Sequence, residues 1–79
     1  MGCNYFRNWK ANKARDFAKY KNFSYSHNNG DDEIWVNKKL DASFRIPSRN
    51  ETMLITTLMD MIRKSKVPKK EWKEWGKNN

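Results

Sequence analysis

Two blocks of lysine and arginine carry the most conspicuous chemistry in this sequence. One runs through Arg7, Lys10, Lys13, Arg15, Lys19 and Lys21 and is opposed only by Asp16; the other runs through Arg63, Lys64, Lys66, Lys69, Lys70 and Lys73 and is opposed only by Glu71. Cations this dense attract a polyanion. Each phosphate they neutralise releases a condensed counterion, and affinity follows. Aromatic residues accompany the basic ones, with Trp72 and Trp75 beside the second block and Trp35 in the middle of the chain. Stacking of a base on an aromatic ring is worth about 1–3 kcal/mol. The expected nucleic-acid-binding set is Arg7, Lys10, Arg15, Lys19, Lys21, Arg45, Arg49, Lys66, Lys69, Lys70 and Lys73, with Trp35, Trp72 and Trp75 as stacking candidates.

Catalytic chemistry is harder to assemble. His27 is the only histidine, beside Asn28 and Asn29, and general acid–base work needs a second titrating partner or a positioned phosphate binder. One cysteine and one histidine do not make a metal site. Asp31, Asp32 and Glu33 lack the alternating spacing of a calcium loop. No nucleophile–base constellation or glycine-rich phosphate loop is present. The expectation is a non-enzyme without metal or cofactor.

The 79 residues carry a formal charge of +8, and the sequence pI is about 9.8. That length makes one small domain, 1–79, whose core alone rarely supplies more than about 3–5 kcal/mol. Four Trp, four Phe and three Tyr must supply much of it. The lone Cys3 gives no disulfide and argues against an oxidising compartment. No apolar run is long enough for a membrane span, and the N-terminus has no secretory apolar region. A cytoplasmic protein is expected.

The elements that would position these residues follow from periodicity. Residues from about Asn4 to Asn22 read as a helix with Tyr5, Phe6, Trp9, Phe17 and Tyr20 on one arc. Ala11, Ala14 and Ala18 fall on the other, flanked by Arg7, Lys10 and Lys21 on one side and by Arg15 and Lys19 on the other: a small, basic face for a phosphate backbone. Phe23 to Ser26 and Ile34 to Val36 read as strands around the turn Asn28-Asn29-Gly30-Asp31. Leu40 to Ile46 is a third strand, with Leu40, Ala42, Phe44 and Ile46 pointing one way. Arg45 would lie on the wet face of an antiparallel meander, where Trp35 either joins it as a platform for single-stranded RNA or is buried under the first helix. Ser48-Arg49-Asn50-Glu51 has the form of a capping box. The helix after it would put Leu54, Ile55, Leu58, Met59, Met61 and Ile62 on the sheet. Pro68 opens a short last helix and Gly76 closes it.

This order, helix, three strands, helix, resembles the double-stranded-RNA-binding domain. The resemblance implies RNA contact through the first-helix basic face, His27 with Asn28 and Asn29, and Arg49 with Asn50; Arg49 is the only cation at the start of the last family helix. Asp41-Ala42-Ser43-Phe44-Arg45-Ile46-Pro47 before a helix looks like the DNA-reading strand of ribbon–helix–helix repressors, which would make Ser43 and Arg45 base readers in a dimer. In size and Asn/Lys-rich composition the chain is similar to small accessory proteins of tailed phages, which often disarm host nucleases and toxins.

The expected fold is thus α+β: an N-terminal helix, a three-stranded antiparallel meander, an amphipathic helix and a short C-terminal helix. The expected function is non-catalytic RNA binding, with DNA as the other polyanion. A homodimer through the Met-rich helix would double the basic surface. The competing readings are a protein inhibitor docking on a host nuclease or toxin, and a DNA-binding repressor.

Overall fold

A computed structural model describes residues 6–79. In chain order it contains helix α1 (Ala11–Tyr20), strands β1 (Ser24–Asn29), β2 (Asp32–Asn37) and β3 (Ala42–Pro47), and helices α2 (Ile55–Ser65) and α3 (Lys69–Asn78). This is the expected α+β order. The strands form one antiparallel sheet, β1-β2-β3. Cys3, Asn4 and Tyr5, which entered the sequence reading, lie outside the described residues.

Helix α1 starts later than periodicity suggests, because the backbone before it is engaged elsewhere. Met53 N–H donates to the Trp9 carbonyl (2.8 Å) and Ala11 N–H to the Glu51 carbonyl (2.9 Å), placing Lys10 opposite Thr52 in a short antiparallel bridge. Residues 6–8 form a turn, with Asn8 left-handed at φ 62°. Lys10, the N-cap, makes no capping bond through its side chain. Asn50 supplies one from across the fold: its Oδ1 accepts from Asn12 N–H at 3.1 Å, satisfying one of the helix's orphan donors. At the other end Asn22 is left-handed, Phe23 N–H reaches the Ala18 carbonyl at 2.8 Å and Asn22 N–H the Lys19 carbonyl at 3.0 Å. That pair of bonds is a Schellman cap.

Ala11, Ala14, Phe17 and Ala18 are the buried face of α1. The alanines therefore do not form an exposed basic face; their small side chains let α1 lie close against β3. In the sheet, Trp35 is opposite Phe44, Asn37 opposite Ala42 and Glu33 opposite Ile46. Ala42, Phe44 and Ile46 are buried, so this face carries the helices. The opposite face presents Ile34 beside Arg45 and Val36 beside Ser43. β1 extends to Asn29, past the expected end at Ser26, after a register shift between Tyr25 and His27. The turn accordingly contracts to Gly30-Asp31, with Gly30 at φ 66°. Leu40 lies in the β2–β3 turn and is 40% exposed instead of opening β3.

The Ser48–Glu51 capping box does not form. Ser48 Oγ accepts from Asn28 Nδ2 at 3.0 Å, the Glu51 carbonyl serves Ala11, and α2 begins only at Ile55, with Leu54 as N-cap. Because Leu54 stands on extended chain, it is out of phase with the helix and 72% exposed. Leu58, Met61, Ile62 and Ser65 face inward. Ser65 Oγ uses its full capacity there: it donates to the Ile62 carbonyl (2.7 Å) and accepts from Val67 N–H and Trp72 Nε1–H (3.1 Å each).

Helix α3 passes through Gly76 instead of stopping there. Trp9 packs on Gly76 so closely that a Cβ would come within 2.5 Å of the Trp9 ring. Lys13 Nζ donates to the Gly76 carbonyl (3.0 Å) and lies 4.7 Å over the Trp9 ring centroid. Trp72 is fully buried, 4.2 Å from Phe17 and 5.9 Å from Trp9 between ring centroids. Among the described residues no helix is long and apolar enough to cross a membrane.

Candidate nucleic-acid interface

The first basic block does not form one surface. Arg15 is turned into the structure: its Nε lies 2.9 Å from Glu33 Oε1, and its guanidinium also reaches the Pro47 and Ser48 carbonyls and Asn12 Oδ1. Lys13 is held on Gly76 and Trp9, and Lys21 pairs with Glu71 while lying 5.5 Å over the Tyr20 ring. Arg7, Lys10 and Lys19 are exposed. Arg49 is exposed on the segment after β3, near the α1 start by way of Asn50 and Asn12. Exposed Asp16 on α1 and exposed Glu51 on the segment of Arg49 dilute the charge.

The aromatic candidates are mostly core. Trp35 is 5% exposed and lies on the helix-bearing face, with Nε1 donating to Glu33 Oε1 at 3.1 Å. Arg45 points the other way, so the two share no platform. Trp72 is sealed in the core, and Trp75 is half-buried against Trp9 and Phe17. Their physical role is to fasten α3, a short helix that needs tertiary anchors. Lys69 lies 5.8 Å over the Phe6 ring, and Lys70 lines a depression beside Tyr20 and Trp75. Lys73 is partly buried on the same helix.

Cations from distant parts of the chain do converge at one end of the molecule. Lys21, Lys38, Lys39 and Lys66 line a depression of about 790 Å³ that also touches Val36, Leu40, Val67 and Pro68. Glu71, the one carboxylate lining it, is the partner of Lys21. Lys38, Lys39 and Lys66 form no ion pair among the described residues. Lys66 also lines a second depression of about 590 Å³ with His27, Ile34, Arg45, Arg63 and Lys64. There Asp60 is shared between Arg63 and Lys64 (3.1 Å to Lys64 Nζ), leaving cationic excess, and Arg45 is 3.8 Å from Asp32. Asp41 is the carboxylate among the lining residues.

Two carboxyls are held low by neighbouring cations. Hydrogen bonds from Lys64 and then Arg63 hold Asp60 below the ordinary aspartate range. Burial alone would raise Glu33, but hydrogen bonds from Arg15 and Trp35, with the charges of Arg15 and Lys19, outweigh it and leave Glu33 low. No group of three or more His, Cys, Asp or Glu suited to a metal ion occurs among the described residues.

Among the cations that line these two depressions, Lys38, Lys39, Arg63 and Lys64 lie outside the sequence-derived set. The signal was present in part. Arg63 and Lys64 belong to the second basic block, but Lys38-Lys39 reads locally as a polar turn, and only the packing of α2 against β3 brings it to Lys66. Comparison with protein-family models, with curated proteins and with solved structures returned no match.

Proposed function

We propose that this protein binds RNA without turnover, through the phosphate backbone and with low sequence selectivity. The observation that carries the reading is the meeting of Lys38 and Lys39 with Lys66 around one depression, with no carboxylate paired to any of the three among the described residues. Unpaired ammonium groups on a concave surface concentrate positive potential and retain their full charge for an incoming phosphate. Lysine acts there as a point charge, without the fixed fork by which arginine reads planar groups, which suits backbone contact over base reading. Lys64 and Arg63 extend the track along the C-terminal turn of α2.

The test is a titration of a labelled RNA across a range of salt concentrations. A steep fall of affinity with salt is expected. Lys38→Ala and Lys39→Ala should each reduce the log–log slope by about 0.7–0.9, the share of one neutralised phosphate. A slope near zero, with a host protein retained instead of RNA on purification, would reject RNA binding and favour the inhibitor reading. Recovery of shortened RNA after incubation would reject the non-catalytic part.

A further inference from the structure

We propose that the uncovered face of the sheet receives an unpaired nucleotide, so that the RNA bound is single-stranded; this rests on the RNA-binding reading above. The helices cover only the face that carries Trp35, Phe44 and Ile46. On the other face the strand register aligns His27, Ile34 and Arg45 as one cross-strand row. An imidazole, an aliphatic floor and a guanidinium thus stand side by side. His27 and Arg45 are exposed and Ile34 is partly so. Imidazole rings and guanidinium planes are among the groups on which unstacked bases lie. The flanking position on β3 is Ser43, whose small side chain leaves the row accessible.

Charge complementarity selects the occupant. The same depression is rimmed by Arg63, Lys64 and Lys66 from the end of α2, and Asp41 in its lining and Asp60, shared by Arg63 and Lys64, offset only part of that charge. A base on the row would have its phosphates within the field of these cations. Lys66 then leads into the neighbouring depression with Lys38 and Lys39, where the next phosphates would lie. An apolar protein segment would match the Ile34 floor and leave the cationic rim unanswered. A duplex keeps its bases stacked and paired, with only phosphates and groove edges facing outward, and so would engage the rim without the row.

The experiment is an anisotropy titration of the full chain with a short labelled unstructured RNA strand and with a hairpin duplex, at one salt concentration. The strand is expected to bind at least about tenfold more tightly, the scale of a single stacked base. His27→Ala and Ile34→Ser, made separately, should each weaken strand binding several-fold while leaving duplex affinity and the salt slope as they were. Thermal unfolding of each variant verifies the fold, and His27, on the exposed strand β1, is the substitution least able to disturb it. Equal affinity for strand and duplex overturns the inference. So does a folded His27→Ala protein with unchanged strand affinity; in either case phosphate-mediated RNA binding still stands. Absence of binding to both RNAs overturns the inference together with the reading beneath it.

Discussion

The Nε of Arg15 lies 2.9 Å from Oε1 of Glu33, and the pair is largely withdrawn from solvent, with the two side chains 14% and 21% exposed. Glu33 accepts at the same oxygen from Trp35 Nε1, so one carboxylate joins α1 to β2 and orients a core indole. Replacing Glu33 by Gln should destabilise the fold by about 1.5–3 kcal/mol, the usual worth of a hydrogen bond to a charged group. The folded carboxyl titrates below its ordinary value of 4.5. Its contribution is therefore complete above that pH and disappears as pH falls through the lower, folded value. The urea midpoint of the parent protein should fall over that acidic window, and Glu33→Gln should lose part of the dependence.

The core hydroxyl of Ser65 gives a larger effect from a smaller change. Ser65→Ala removes the acceptor of both Trp72 Nε1–H and Val67 N–H where both residues are buried. Leaving a buried donor unpaired costs about 1–3 kcal/mol, so two such donors should lower stability by about 2–6 kcal/mol. Trp72 fluorescence would report a changed environment in the same protein. A variant as stable as the parent would show that water reaches these donors.

The order of elements was legible from the sequence because periodicity and turn residues are local signals. The ends of α1 and α2 were not. Asn50 caps α1 and Glu51 accepts from Ala11, so the segment that reads as a capping box for its own helix serves a different one. Arg15 read as a binding residue because its partner Glu33 lies on another element. Ala11, Ala14 and Ala18 read as an open face because alanine periodicity does not say which side packs. Lys66 was legible as a cation, but its meeting with Lys38 and Lys39 depends on the tertiary fold.

Gly76 sets two effects of opposite sign against each other. Alanine is favoured over glycine inside a helix by about 1 kcal/mol. At this position, however, the added Cβ would approach Trp9 Cζ2 to 2.5 Å and Trp9 Cε2 to 3.3 Å. Trp9 is 1% exposed and enclosed by Phe6, Trp72 and Trp75, so the ring has little room to retreat. Overpacking of this kind costs about 1–3 kcal/mol and should prevail. Gly76→Ala is expected to unfold at a lower temperature than the parent. A higher melting temperature would mean that α3 shifts away from Trp9 without penalty.

Lys66 allows binding and folding to be separated in one substitution. It ends α2 in the left-handed conformation, φ 61°, where glycine is the usual residue. A lysine held there carries about 1 kcal/mol of backbone strain. Lys66→Gly relieves that strain, and the side chain it removes is exposed and without an ion pair among the described residues. Stability should hold steady or rise by up to about 1 kcal/mol. RNA affinity should fall, because Lys66 borders both cationic depressions. For a single strand the salt slope should shrink by about 0.7, the share of one phosphate. A variant at least as stable as the parent, binding RNA with the same affinity and slope, would remove Lys66 from the interface and break the track between its two halves.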